Sequence, residues 1–163
     1  MKIEIWSDIM CPFCYIGKRR IEEALQHFEH KDSVTIEWKS FQLDAGFIAS
    51  PEDSMVEHLA EKYRKDKDWA QEMLDNMTQN AKNAGLDFHF EKAILANSFH
   101  AHRLLHLAKK YNLANNLEEL LFKAYLTEGK NVNDLNTLTE LALEVGLEAG
   151  EIQNVLHSDA FAK

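Results

Sequence analysis

The stretch SDIMCPFCYIG, residues 7–17, holds both cysteines of the chain, Cys11 and Cys14, with only Pro12 and Phe13 between them. Its meaning depends on what flanks it. Residues 3–7, IEIWS, alternate apolar and polar and are rich in strand formers, which predicts a first strand. From Pro12 onward Ile16, Ile21, Leu25 and Phe28 recur at near-helical spacing, while Lys18, Arg19, Glu22, Glu23 and Gln26 fill the opposite face. That predicts a helix to about His30. Lys31 to Ser33 makes a turn, and VTIEWKSF at 34–41 alternates again as a second strand. A crossover of this length returns the second strand parallel to the first with a right-handed connection, so the opening is βαβ and the fold class is α/β. The two cysteines fall at the turn from strand to helix.

Beyond Leu43 the pattern changes. Residues 44–54 contain Gly46, Pro51 and several Ser and Asp with no sustained period, which predicts a loop ending in an N-cap. Helices are expected at about 54–65, 68–84, 97–111, 115–127, 134–145 and 148–157. Ser54, Asn97-Ser98 and Asp134 stand where helices start, and Gly85, Gly129 and Gly146 where they stop. Asp87 to Phe90 is expected as an extended connector.

The 163 residues suit one domain with an inserted subdomain, and 45% hydrophobic residues give it enough apolar mass for a core. A net charge of −9 argues against nucleic acid as a partner, because a binder must set Lys and Arg against phosphates. The one dense basic run, Lys18-Arg19-Arg20, is followed by Glu22 and Glu23 and predicts a solvated helix face. No membrane-crossing segment is visible, and the first residues do not have the pattern of a signal peptide, so the expected compartment is the cytoplasm with no membrane partner. There a permanent structural disulfide is disfavoured, leaving redox chemistry, metal binding or two inert thiols.

Pro12 at the first helical position and Cys11 at the N-cap put Cys14 one turn on, within disulfide reach of Cys11. Free amides and the helix dipole should stabilise a thiolate on Cys11, making it the candidate nucleophile. Cys14, expected to be less exposed, is the candidate resolving thiol. Pro12 and Phe13 carry no charge and would tune the pair through rigidity and packing. Inert cysteines favour core positions rather than a strand-to-helix turn, and a structural zinc needs four ligands where the chain offers no second cysteine pair. His102 and His106, with His100 two before, have a spacing that can hold a metal. Their apolar helix favours packing edges or solvent instead, so no metal site is expected. His27, His30, His58, His89 and His157 are expected at the surface. Trp6, Phe13 and Tyr15 flank the pair as either an apolar lip for substrate or core aromatics, with Trp6 and Tyr15 the lip candidates. Asp8 is expected to bond turn amides.

With these motifs, WKSFQLD at 38–44, NSFHAHRLLHLA at 97–108 and LFKAYLTEGKNVNDLNTLTELA at 121–142, the chain resembles the DsbA-like thiol oxidoreductases over nearly its whole length, specifically their FrnE branch. The resemblance implies a thioredoxin fold with a large inserted helical domain, residues 1–45 forming the N-terminal part of the thioredoxin-like domain and 46–163 the insertion. It implies dithiol–disulfide exchange at Cys11 and Cys14 with protein or small-molecule disulfides and thiols, glutathione among them, and no bound cofactor. Members of the family continue into further strands and a cis-proline loop facing the CxxC; neither Pro12 nor Pro51 matches that proline. The C-terminal part of the thioredoxin core is therefore expected to be missing from the chain, or supplied by a strand-swapped or dimeric partner. Two other functions compete: a glutathione-dependent transferase or isomerase of the kappa or hydroxychromene carboxylate isomerase type, whose members carry serine where Cys11 stands, and a redox-sensing chaperone or binding module.

Overall fold

The computed structural model of the chain describes residues 1–49 and 53–163. Pro51, expected in the loop before the helices, lies outside the described residues. β1 (Lys2–Ser7) pairs in parallel with β2 (Thr35–Ser40), in a register running from Lys2 opposite Thr35 to Ser7 opposite Ser40. α1 (Pro12–Gln26) is the crossover between them. It stops about one turn before the expected end because the Phe28 amide bonds to the Leu25 carbonyl and tightens the chain into a turn, followed by a short 3-10 segment at Lys31–Ser33. Among the described residues β1 pairs only with β2.

Among the described residues six helices follow: α2 (Met55–Tyr63), α3 (Lys67–Asn83), α4 (Phe99–Lys110), α5 (Ala114–Leu126), α6 (Leu135–Glu144) and α7 (Ala149–Leu156). Side-chain caps start four of them, with Ser54, Asp66, Asp134 and Glu148 accepting from the amides of Glu57, Trp69, Thr137 and Glu151. Gly129, just after α5, has φ +68°, and a β-carbon there would lie 2.7 Å from the Lys92 carbonyl oxygen. Only glycine fits that close approach.

The core gathers on α4 to α7, where Leu104, Leu117, Leu121, Phe122, Leu138 and Ile152 are fully buried. Arg103, itself buried, donates to the carbonyls of Val155, Ser158 and Ala160 and so ties the chain after α7 to α4. α1 joins this helical body through Tyr15, whose ring stacks between Phe122 at 4.9 Å and Phe88 at 6.0 Å. Tyr15 is 3% exposed and therefore forms no substrate lip. Its place on the α1 face that meets α5, rather than its closeness to Cys14 in sequence, decides its role.

The basic run is the second departure. Lys18 is buried and ion-paired with Glu22 and with Glu119, the latter at 2.9 Å. Arg19 pairs with the same two carboxylates. Only Arg20 faces water. The partner acid stands 100 residues away in sequence, on α5, and converts an apparently solvated face into a seam between α1 and α5.

Candidate active site

Cys11 is the N-cap of α1, with extended backbone (φ −98°, ψ 106°), and its side chain accepts none of the helix's first amides as an ordinary capping residue would. Its amide donates to the Asp8 carbonyl at 3.0 Å, and its own carbonyl accepts the Cys14 amide at 3.0 Å, which closes the turn. Cys14 is thus held on the first turn beside Cys11, and both thiols are free. The expected contrast in exposure is absent: both are half-buried. Phe13 points outward at 56% exposure and shares with Cys11 the lining of a pocket, while Trp6, 61% exposed, is not part of that lining.

The two thiols share a hydrogen bond, and this dominates their titration. The bond raises Cys11, which keeps its proton and donates, and lowers Cys14, so the pair gives up its first proton below the ordinary thiol range and its second far above it, with the first charge on Cys14 rather than on Cys11 as expected. The amides of Phe13 and Cys14 stabilise charge on Cys11. The Asp8 amide and the Ser7 hydroxyl do so for Cys14, while the Asp8 carboxylate opposes it.

Asp8 does more than the turn role expected of it. Oδ1 accepts from the Met10 amide at 3.3 Å, and Oδ2 accepts from the Leu43 amide at 2.7 Å, which pins the chain after β2 against the CxxC turn. His102 of α4 reaches Oδ1 at 3.2 Å from the buried interior. Burial works against the charge, but bonds from His102, Ser98 and the Leu43 amide outweigh it and hold the carboxyl below its usual range. His102 is therefore neither a packing edge nor solvated. His106 instead stacks on Phe161 at 5.9 Å, so His102 and His106 face different partners.

A pocket of about 150 Å³ opens beside Cys11, lined among others by Met10, Pro12, Met55, Met73, Met77 and Phe90. A volume of this size accommodates a group about as large as a benzene ring. His58, expected as a plain surface residue, is half-buried at this pocket and packs edge-on against Phe47 at 5.0 Å.

Behind Cys14 lies a group that residue spacing does not reveal. Glu118 of α5 is 2% exposed, and burial pushes its carboxyl up to about 8, with the Ser7 hydroxyl and the Lys18 ammonium pulling it partly back. In the folded chain it holds its proton to higher pH than in the unfolded chain. Its contribution to stability is therefore complete below about pH 4.5 and is lost as pH rises towards 8. Glu118→Gln, neutral throughout, is expected to match the parent in urea unfolding at pH 4.5 and to exceed it by a few kcal/mol at pH 9. Equal differences at both pH values would show that the carboxyl is not perturbed.

The comparisons with known proteins meet this geometry at the CxxC turn and along the helices. A family model described as the DSBA-like thioredoxin domain matches residues 2–163. The chain belongs to the DSBA-like thioredoxin family. Its fold is accordingly a thioredoxin fold with a helical insertion. Within that family it is 31% identical to the YwbO protein of Bacillus subtilis (strain 168) over 164 residues, covering 98% of this chain and 73% of that one. The crystal structure of probable DsbA oxidoreductase SCO1869 from Streptomyces coelicolor superposes with a TM-score of 0.91 at 37% identity, over 99% of this chain and 70% of that one. A crystal structure from Nitrosomonas europaea at 19% identity shares the fold, with a TM-score of 0.68 over 97% of this chain and 71% of that one. As a DSBA-like chain it falls among the thiol–disulfide oxidoreductases, and no helix among its described residues is long and apolar enough to cross a membrane.

Proposed function

We propose that this chain exchanges disulfides through the Cys11–Cys14 pair, with Cys11 attacking the substrate and Cys14 resolving the mixed disulfide. One observation carries the reading: Cys11 sits uncapped at the start of α1 with two amides to stabilise its thiolate and a second thiol bonded to it. A thiolate so held is both a ready nucleophile and a good leaving group. In the resting pair the shared bond lowers Cys14 and raises Cys11; Cys11 takes the attacking role in this reading because it stands at the start of α1 and borders the pocket. Pro12 fixes the turn and Phe13 with Trp6 offers the apolar rim. Domain boundaries follow the earlier division, with residues 1–45 carrying the pair and 46–163 supporting it from behind.

The substrates in this reading are protein or low-molecular-weight disulfides, glutathione disulfide included, and the compartment is the cytoplasm. The pocket beside Cys11 also gives support to a transferase or isomerase acting on a small apolar compound, because a group the size of one ring fits next to the sulfur. Mixing the reduced chain with bis(2-hydroxyethyl) disulfide separates the readings. Exchange predicts loss of both protein thiols and release of two equivalents of mercaptoethanol, at a rate above that of free cysteine at the same pH. A rate no higher than that of free cysteine sinks the exchange reading.

A further inference from the structure

The pocket beside Cys11 has three features that disulfide exchange does not use together. The first is the reactive sulfur. The second is a wall rich in thioethers: Met10, Met55, Met73 and Met77, four of the five methionines in the chain, line it. Such side chains adapt to the shape of a guest better than branched ones do. The third is a hydrogen-bond donor. Tyr125 of α5 is 1% exposed and lines the pocket, and among the described residues its hydroxyl has no hydrogen-bond partner. The two other buried polar residues of the lining, Asp8 and Ser98, are bonded to each other. Burial, with the Asp8 carboxylate adding to it, holds the Tyr125 phenol protonated well above its usual range, so it meets a guest as a donor.

A buried donor left unpaired is costly, and a guest with a matching acceptor relieves that cost. Three classes of guest differ in what they use. A plain disulfide uses the sulfurs and the apolar wall and leaves Tyr125 unpaired. A carbonyl compound uses the wall and the donor, but its adduct with Cys11 leaves Cys14 idle. A sulfoxide uses everything the pocket offers. Its substituents are apolar, its sulfur is open to a thiolate, and its oxygen carries partial negative charge and is a strong acceptor. That oxygen must leave as water, which a fixed donor assists, and two thiols supply the electrons.

Resting on the exchange reading above, we propose that the chain also reduces apolar organic sulfoxides about the size of one ring, with the Tyr125 hydroxyl holding the sulfoxide oxygen. At neutral pH the cysteine pair carries one proton, shared between its sulfurs. Cys11 attacks the sulfoxide sulfur and a sulfur–sulfur bond forms. The S–O bond breaks, and the oxygen leaves as water with one proton from the pair and one from solvent. The Cys14 thiolate then attacks the Cys11 sulfur, the bond from Cys11 to the substrate breaks, and its electron pair stays with the substrate, now a sulfide. The pair loses two electrons and becomes the disulfide, and the sulfoxide sulfur gains them. Tyr125 keeps its own proton throughout. A thiol reductant returns the pair to the dithiol by the exchange reaction itself.

The test is a single turnover without added reductant. Reduced chain mixed with excess phenyl methyl sulfoxide is expected to lose both thiols and release one equivalent of phenyl methyl sulfide, faster than dithiothreitol does at the same dithiol concentration. Tyr125→Phe keeps the ring and removes only the unpaired hydroxyl, so it is expected to unfold at no lower urea concentration than the parent. Its sulfoxide rate, divided by its rate with bis(2-hydroxyethyl) disulfide, is expected to fall on the order of 100-fold. An unchanged ratio overturns the proposal. So does a parent chain that exchanges with the disulfide but releases no sulfide, or releases it no faster than dithiothreitol, and this arm decides should Tyr125→Phe not fold. A chain inert to both reagents overturns the exchange reading itself, and this one with it.

Discussion

Cys11→Ser is expected to abolish disulfide exchange, lowering the rate with glutathione disulfide to that of the remaining half-buried thiol. The serine hydroxyl keeps the shape of the N-cap but cannot ionise near neutrality, so the amides of Phe13 and Cys14 have no anion to stabilise. Cys14→Ser is expected to behave differently. Cys11 still attacks, nothing resolves the product, and a stable mixed disulfide accumulates that mass spectrometry reads as one added glutathione per chain. Should Cys11→Ser accumulate the adduct and Cys14→Ser remain clean, the roles of the two sulfurs are reversed. Should both variants exchange as the parent does, the pair is not the reactive centre.

Phe122→Ala is expected to produce the largest loss of stability of any single truncation around the site, about 3–5 kcal/mol in urea unfolding. Phe122 is fully buried on α5 and stacks on Tyr15 of α1 at 4.9 Å. Its removal opens a cavity where the helix bearing the cysteines meets the helical body. Tyr15→Phe, which keeps the stack and removes the bond the hydroxyl donates to Glu119 at 2.5 Å and the one it accepts from Arg19 at 3.4 Å, is expected to cost about 1 kcal/mol. A similar cost for both would mean that the hydroxyl, rather than the ring stack, joins α1 to α5.

These two residues also show where the sequence is legible and where it stops. The β1–α1–β2 unit and the CxxC turn rest on local signals, alternation, helical period and a proline at the first helical position, so each can be read from a window of about a dozen residues. Helix limits downstream are legible for the same reason, since Ser54 and Asp134 cap and Gly85, Gly129 and Gly146 take positive φ. What cannot be read locally is which side of α1 is covered. Lys18 and Tyr15 belong to the polar and flanking positions by pattern, but their partners Glu119 and Phe122 come from a helix about a hundred residues later. Glu118 is hidden in the same way. Beside Glu119 in a helix of leucines it has the pattern of a solvated pair, and only the packing of α5 against β1 and α1 sends one carboxyl to Arg19 and the other to Ser7. His102 follows suit, its role set by Asp8 from the other end of the chain.

The central claim is that the start of α1 makes the cysteine pair a working redox centre, and it is tested most directly by titrating thiolate absorbance against pH together with the redox equilibrium against glutathione. The account predicts one thiolate forming below the free-thiol value of about 8.5, a second appearing only at much higher pH, loss of the low-pH step in Cys11→Ser, and a disulfide that forms and reduces reversibly. Two thiols titrating together near the free value, with no disulfide at any ratio of reduced to oxidised glutathione, would contradict it.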